Sequence, residues 1–239
     1  MAVEQALQQF SETESSESFS LQNDKLLKVE LADVTIQAKL GAMVAYQGEV
    51  KFERAATGGM ARLVKKVATG EGAKLMKVSG TGEVFLADHA QEVHLVKLDS
   101  DKITVNSPNL LAFEDGIDWD IRKVEGASGM LAGGLFNLEL SGSGWVALLS
   151  DGPPMLLQLK DDPVFADPQA AITWSSGVKT SVRTDMNLKT LIGRGSGETI
   201  QMQFSGDGWL LVQPSEGRVS QAGAASGRGG GLGDLLGGG

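Results

Sequence analysis

A tetrapeptide of the form Ser-Gly-x-Gly occurs three times in the chain and constrains the fold more than any other feature. The copies begin at Ser79, Ser141 and Ser205, so they are spaced by 62 and 64 residues. Each copy stands between two short runs of alternating or apolar residues, which are typical of β-strands. A glycine pair in this setting indicates a tight turn or bulge with positive φ, and we favour this role over a phosphate-binding loop. The spacing therefore predicts three similar β units.

A second recurring pattern indicates how the units close. Two short apolar segments follow one another at 111–113 and 117–119, at 164–166 and 172–174, and at 44–46 and 50–52. The third glycine motif has no such continuation, so we interpret the N-terminal segment as the missing half of the third unit. The prediction is an all-β, mainly antiparallel fold, a threefold pseudo-symmetric repeat closed by the N- and C-terminal strands. Closure removes exposed sheet edges, which invite aggregation.

The segments that flank this domain differ from it in composition. Residues 1–20 are polar and acidic and are predicted to be a flexible arm, and residues 21–214 form the single repetitive β domain. Residues 215–239 end in GRGGGLGDLLGGG, which buries too little surface to order itself and is predicted to be a disordered tail. Apolar residues recur with helical spacing in residues 60–69, which predicts one short amphipathic helix.

Charge and composition disfavour several classes of protein. The net charge of −9 weighs against a nucleic-acid binder, whose affinity depends on Lys and Arg. The absence of cysteine excludes disulfides and thiolate chemistry. No uninterrupted apolar run of membrane-spanning length occurs, and the N-terminus lacks the features of a secretory signal or transit peptide. A cytoplasmic protein is expected.

The sequence carries no recognisable catalytic motif. The two histidines, His89 and His94, have no metal-ligand spacing around them. Two carboxylate pairs are interpreted as solvated groups on strands and turns; they are Asp118 with Asp120, and Asp161 with Asp162. Walker A and nucleophile-elbow patterns are absent. We therefore predict a protein that is not an enzyme, with no catalytic residues, cofactor or metal.

Three segments are candidates for binding. The polar side of the predicted helix is basic, which suits an acidic partner or a membrane surface, although a helix packed across an opening of the sheet is favoured. Leucines in the tail form a candidate docking motif within a segment that we expect to be plainly disordered. A glycine-rich loop with one arginine is a candidate anion site through its backbone N–H groups. The residues are Arg62, Lys65 and Lys66 in the helix, Leu232, Leu235 and Leu236 in the tail, and Arg194, Gly195, Ser196 and Gly197 in the loop.

Several blocks together resemble the altered-inheritance-of-mitochondria family and its bacterial relatives. They are LGAMVAYQGEVKFE, GGMARLVKK, the repeated Ser-Gly-x-Gly and GRGSGETIQMQFSGDGWLLVQPSEG, and the resemblance covers residues 24–217. It implies a β fold similar to that of the tryptophan RNA-binding attenuation protein, built from repeated units, with no established catalytic residues. The mitochondrial member is associated with inner-membrane organisation, but its location is not transferred because the transit peptide is missing here.

Three functions remain open from the sequence. The first is a non-enzymatic scaffold or binding module that contacts an unknown protein partner, itself as a homo-oligomer, or a membrane surface. The second is nucleic-acid or small-ligand binding by analogy with the RNA-binding attenuator fold, which is a fold-level argument and is disfavoured for nucleic acid by the charge. The third is a hydrolase or lyase with scattered active-site residues.

Overall fold

The computed structural model describes residues 2–54, 75–123, 136–184 and 200–215. The helix α1 spans Ala2–Leu7, and short 3-10 helices span Gln8–Phe10 and Ser107–Asn109. None of the described helices is long and apolar enough to cross a membrane. The described strands are β1 Phe19–Asn23, β2 Leu26–Lys39, β3 Met43–Arg54, β4 Leu75–Leu86, β5 Glu92–Asn106, β6 Leu110–Glu114, β7 Asp118–Lys123, β8 Phe136–Ser150, β9 Met155–Leu159, β10 Val164–Ala166, β11 Ala171–Ser175, β12 Lys179–Thr184, β13 Ile200–Ser205 and β14 Gly208–Val212.

The prediction of a mainly antiparallel all-β fold is confirmed, because every ladder between described strands is antiparallel. The predicted helix in residues 60–69 lies outside the described residues.

Three consecutive stretches of the chain pair their strands in the same order. We call them unit 1, residues 26–86, unit 2, residues 92–150, and unit 3, residues 155–212. In each unit a leading strand and a middle strand both pair with the last strand, so the last strand lies between them. The leading, middle and last strands are β2, β3 and β4 in unit 1, then β5, β6 with β7, and β8 in unit 2. In unit 3 they are β9 with β10, β11 with β12, and β13 with β14.

The N-terminal strands belong to unit 1, so the prediction that they complete the third unit is wrong for the described residues. β2 and β3 pair with β4, whereas β13 and β14 pair with strands of residues 155–184. Each last strand pairs with strands that precede it closely in the chain, which keeps the entropy lost in loop closure small. Segment 164–166 lies in a leading strand, and the true counterpart of segment 44–46 in unit 3 is segment 172–174.

Glycines bend each unit near its middle. Gly80 and Gly82 lie inside β4 with φ of +124° and +142°, and the glycines of the other two motifs also have positive φ. A Cβ atom on Gly80 would overlap the backbone oxygen of Glu49 on the neighbouring strand. The predicted positive φ is therefore confirmed. In units 1 and 2 the glycines lie within a continuous strand, and in unit 3 they lie where β13 gives way to β14.

The bend folds each ladder back on itself. Lys39 pairs with Leu75 at one end of the β2–β4 ladder, and Asp88 follows Leu86 at the other end. The Lys39 Nζ and Asp88 Oδ2 atoms are nevertheless 2.6 Å apart, so the two ends meet. The two halves of the sheet enclose apolar side chains that are completely buried, among them Leu27, Val29, Ile36, Ala38, Val78, Val84 and Leu86.

The units join side by side through one kind of contact. Residues 36–38 of β2 pair with residues 112–114 of β6, and residues 103–105 of β5 pair with residues 173–175 of β11. In both junctions the second half of a leading strand meets the first half of the next unit's middle strand. The resulting sheet has the order β3-β4-β2-β6-β8-β5-β11-β14-β9, and β10, β13 and β12 form a second sheet.

The N-terminal arm contacts β1 and unit 1. The backbone N–H of Thr13 donates to Gln22 Oε1 over 2.8 Å, and Lys28 Nζ donates to the carbonyl oxygen of Thr13 over 3.2 Å. Strand β1 begins at Phe19, inside the segment that the sequence assigns to the arm. The flexibility of residues 1–20 and the disorder of the tail stay predictions.

Candidate functional site

The binding residues predicted from sequence all lie outside the described residues. This applies to the basic residues Arg62, Lys65 and Lys66, to the loop residues Arg194, Gly195, Ser196 and Gly197, and to the tail residues Leu232, Leu235 and Leu236. Their roles stay predictions, and the candidate site must be built from other residues.

An ion pair between a buried lysine and a half-buried glutamate joins two strands of unit 1. The Nζ atom of Lys28 lies 2.5 Å from the carboxylate of Glu83 and 3.5 Å from that of Glu12 in the arm. The hydrogen bond to Glu83 raises the pKa of Lys28, and the Lys28 and Gln47 hydrogen bonds lower the pKa of Glu83. Both groups are therefore held in their charged forms by each other, which makes the pair a structural contact between strands and arm.

His94 is a structural hydrogen-bond donor. Its Nε2 atom lies 2.6 Å from Ser150 Oγ, and Ser150 Oγ in turn donates to the carbonyl oxygen of Gly152 over 2.7 Å. Since the hydroxyl proton is used on Gly152, Ser150 accepts from the imidazole N–H. Burial lowers the pKa of His94, against the opposing charge of Glu92. The pair holds the turn after β8 in place. Its proton lies on the imidazole, whereas a serine nucleophile donates its proton to the histidine base.

The other titratable residues considered in the sequence analysis lie on turns, on β7 and on the link between β9 and β10. His89 Nδ1 is 2.6 Å from Asp88 Oδ1 at an exposed turn, and Asp120 Oδ1 accepts a hydrogen bond from the N–H of Ile121 on β7. Asp161 and Asp162 are exposed in the link between β9 and β10. In the described ranges no group of three or more His, Asp or Glu is placed to hold a metal ion.

One strand edge of unit 1 exposes apolar side chains. We call residues 43–47 of β3 the front edge, where Met43, Val44 and Tyr46 are 41%, 58% and 50% exposed. The residues equivalent to 43–46 are 110–113 in unit 2 and 171–174 in unit 3, and all of these are buried, with Phe113 and Trp174 in the place of Tyr46. The equivalence follows from the ladders, because all three middle strands have a bulge after their first paired residue. The front edge therefore has the apolar composition of its buried counterparts, although no described strand pairs with its open side.

A second edge, in unit 3, is partly exposed. We call residues 164–166 of β10 the rear edge, where Phe165 is 46% exposed and the Arg183 guanidinium lies 5.5 Å from its ring centre. The equivalent residues 36–38 and 103–105 are buried in the two junctions between units. Within the described ranges β10 pairs only with β13, and β3 pairs only with β4. The front and rear edges are therefore the two uncovered members of the contact that joins the units.

Sequence reasoning overlooked both edges as binding residues. Segments 44–46 and 164–166 were recognised as recurring apolar segments, but recurrence alone does not distinguish a covered strand from an uncovered one. The available signal was a count. Three middle strands share one apolar pattern. A leading strand covers the middle strand of the unit that follows it, and only two of the three leading strands are followed by another unit. Among the described strands, one middle strand is therefore left uncovered.

Comparisons with known proteins place the chain among β-rich relatives. A family model described as mitochondrial biogenesis AIM24 matches residues 19–215. A crystal structure of a Streptococcus pyogenes protein matches with a TM-score of 0.67 and 18% sequence identity, covering 82% of this chain and 92% of that one. At this identity the match shows a shared fold alone. No curated protein matches the chain.

Proposed function

The chain belongs to the mitochondrial biogenesis AIM24 family, and we propose that it is a non-enzymatic scaffold or binding module that acts through protein–protein contacts. The observation that carries this proposal is the front edge. An apolar strand edge whose two counterparts are buried is an interaction surface. The open edge of a strand offers a partner strand both unpaired backbone groups and apolar area.

The polar groups of the described residues support a structural protein. Lys28 with Glu83, Lys39 with Asp88, and His94 with Ser150 each hold one part of the fold against another. Such pairs need no substrate to explain them. We further propose that the three units are copies of one pseudo-symmetric repeat, that the fold is similar to the attenuation protein's, and that the protein acts in the cytoplasm.

Substitution of the front edge tests the proposed function. The tagged full chain carrying Val44→Lys and Tyr46→Lys is compared with wild type for covalently captured partners, after cross-linking in its native cell and mass spectrometry. The matched control is Glu53→Lys, which lies on the same strand beyond the edge and also raises the net charge by two. We expect wild type and the Glu53→Lys control to capture the same partners, and we expect the double variant to lose them. An identical set of partners for all three proteins would contradict the proposal.

The predicted basic residues and tail leucines offer a second route to a partner or a membrane surface. Substitution of Lys65 and Lys66 by Glu, or removal of residues 215–239, is expected to weaken co-purification or binding to anionic vesicles if these segments dock. If these changes leave binding intact while the front-edge variant, Val44→Lys with Tyr46→Lys, loses it, the contact belongs to the front edge alone.

The alternative function is nucleic-acid or small-ligand binding, by analogy with the attenuation protein. It rests on fold likeness alone, and the net charge of −9 opposes it for nucleic acid. A gel shift with mixed RNA at low salt tests it, and a shift at micromolar protein would favour it over the scaffold function.

A further inference from the structure

We propose that the front edge of one chain binds the rear edge of a second copy of the same chain, so that the sheet continues from molecule to molecule. This inference rests on the proposed function, because it identifies the partner of the front edge. The two strands pair antiparallel, with Tyr46 opposite Phe165, Ala45 opposite Ala166 and Gln47 opposite Val164.

The register follows from the two junctions inside the chain. In the first, Gln37 is opposite Phe113, and in the second, Thr104 is opposite Trp174. Phe113 and Trp174 occupy the place of Tyr46, since they pair with Val146 and Leu210 as Tyr46 pairs with Val84.

The leading strands align by the same method. Ile36, Ile103 and Val164 each pair with the residue two positions before the first glycine of a motif, which is Val78, Leu140 or Phe204. Phe165 therefore takes the place of Gln37 and Thr104. The two internal junctions have the same register, and we apply that register to the front and rear edges.

Burial supports a partner at both edges. The residues of the two internal junctions are buried except for Glu114 and Ser175, which are partly buried, and even Gln37 and Thr104 are only 9% and 8% exposed. The front and rear edges are the only positions of this contact in the described ranges that remain open, and Tyr46 and Phe165 are each about half exposed. Pairing them buries two aromatic rings across one ladder, an arrangement that stabilises strand pairs beyond the area it buries.

The chemistry of the two edges favours a second copy over an unrelated strand. The front edge is apolar at four successive positions, and the rear edge offers three apolar residues, Val164, Phe165 and Ala166. The first and last of these positions are apolar in the internal junctions as well, and Phe165 takes the place of the polar Gln37 and Thr104. Because the two edges differ, the contact is head-to-tail, and it leads to a closed ring or an open chain according to the rotation between neighbours.

Disulfide trapping tests the register, and the absence of native cysteine removes any background. The full chain is prepared with Ala45→Cys and Ala166→Cys, since directly opposite Cβ atoms in an antiparallel pair lie about 4.5–5.5 Å apart, close to the reach of a disulfide. We expect oxidation to give covalent species of two or more chains that a reductant returns to one. A mixture of the two single variants should stop at the covalent dimer. Glu49→Cys with Ala166→Cys is the shifted-register control and should cross-link far less.

Light scattering on the purified chain supplies the second measurement. Wild type is expected at a multiple of 25.1 kDa, and the Val44→Lys, Tyr46→Lys variant at 25.1 kDa with an unchanged circular dichroism spectrum. A wild-type protein that stays at 25.1 kDa, together with a double-cysteine variant that forms no disulfide, would overturn the proposal. A disulfide formed inside one chain would also overturn it, because the edges would then meet within a single molecule.

The two proposals fail in different ways. A monomeric wild type whose captured partners depend on Val44 and Tyr46 would preserve the binding function and eliminate self-association. A cross-linked oligomer whose captured partners are unaffected by the double variant would preserve self-association and eliminate the front edge as a site for other proteins.

Discussion

Glycines at equivalent places in the sequence motif face different demands in the structure. A Cβ atom on Gly80 would overlap the backbone oxygen of Glu49, whereas on Gly206 its nearest neighbour would be the Gly177 oxygen at 3.6 Å. Both residues have positive φ, at +124° and +101°, which disfavours any side chain. The difference arises because β3 crosses close to Gly80 along a continuous ladder.

Alanine at these two glycines should therefore have unequal effects. We expect Gly80→Ala to lower the free energy of unfolding by about 3 kcal/mol or more, from strain in φ together with backbone overlap. Gly206→Ala should cost only the strain in φ, about 1–2 kcal/mol. Urea denaturation with a common m-value measures both. Equal losses would show that the close approach of β3 has no energetic weight.

His94 makes stability depend on pH. Burial lowers its pKa below the ordinary value, so the folded state holds the neutral imidazole more tightly than the unfolded chain does. The stabilisation is present above the unfolded pKa of about 6.5 and is lost as pH falls through the lowered folded value. We expect the unfolding midpoint to fall between pH 7.5 and 5.5, and His94→Gln to flatten this part of the profile. Ser150→Ala, which keeps the histidine, should retain the slope while lowering stability.

At the scale of elements, burial of the middle strand distinguishes a covered edge from a free one. Phe113 in β6 is fully buried at a junction, and Tyr46 at the same position in β3 is half exposed and contacts Phe52 at 5.2 Å between ring centres. We expect Phe113→Ala to cost about 3–5 kcal/mol and Tyr46→Ala about 1 kcal/mol. Denaturation of the dilute, monomeric chain measures both. A similar loss for the two would mean that β3 is covered in the single molecule.

The strands themselves were largely predictable as elements. The alternating or apolar runs on either side of the glycine motifs indicated strands, and β4, β8, β13 and β14 are present there. The assignment of segment 164–166 to the same class as 111–113 was wrong, because short apolar segments of leading and middle strands have the same local composition. Only the pairing partners separate the two kinds of strand.

At the scale of the whole molecule, the described part of the body ends with unit 3. The last described strand ends at Val212, and the family match ends at residue 215. We expect removal of residues 216–239 to change the free energy of unfolding by less than about 0.5 kcal/mol, since a glycine-rich segment buries little apolar area. Thermal melting checks the stability and light scattering the assembly. A large drop in melting temperature would show that the tail packs on the body.

The sequence by itself determined the all-β class and the positive φ of the motif glycines, because side-chain alternation and backbone sterics are local properties. The tertiary structure alone decided which strands pair and which edges stay open. Residues 43–46, 110–113 and 171–174 are similar in composition, yet only the last two sets are buried. Whether a strand is covered depends on a neighbour distant in the chain, and no local pattern encodes that neighbour's position.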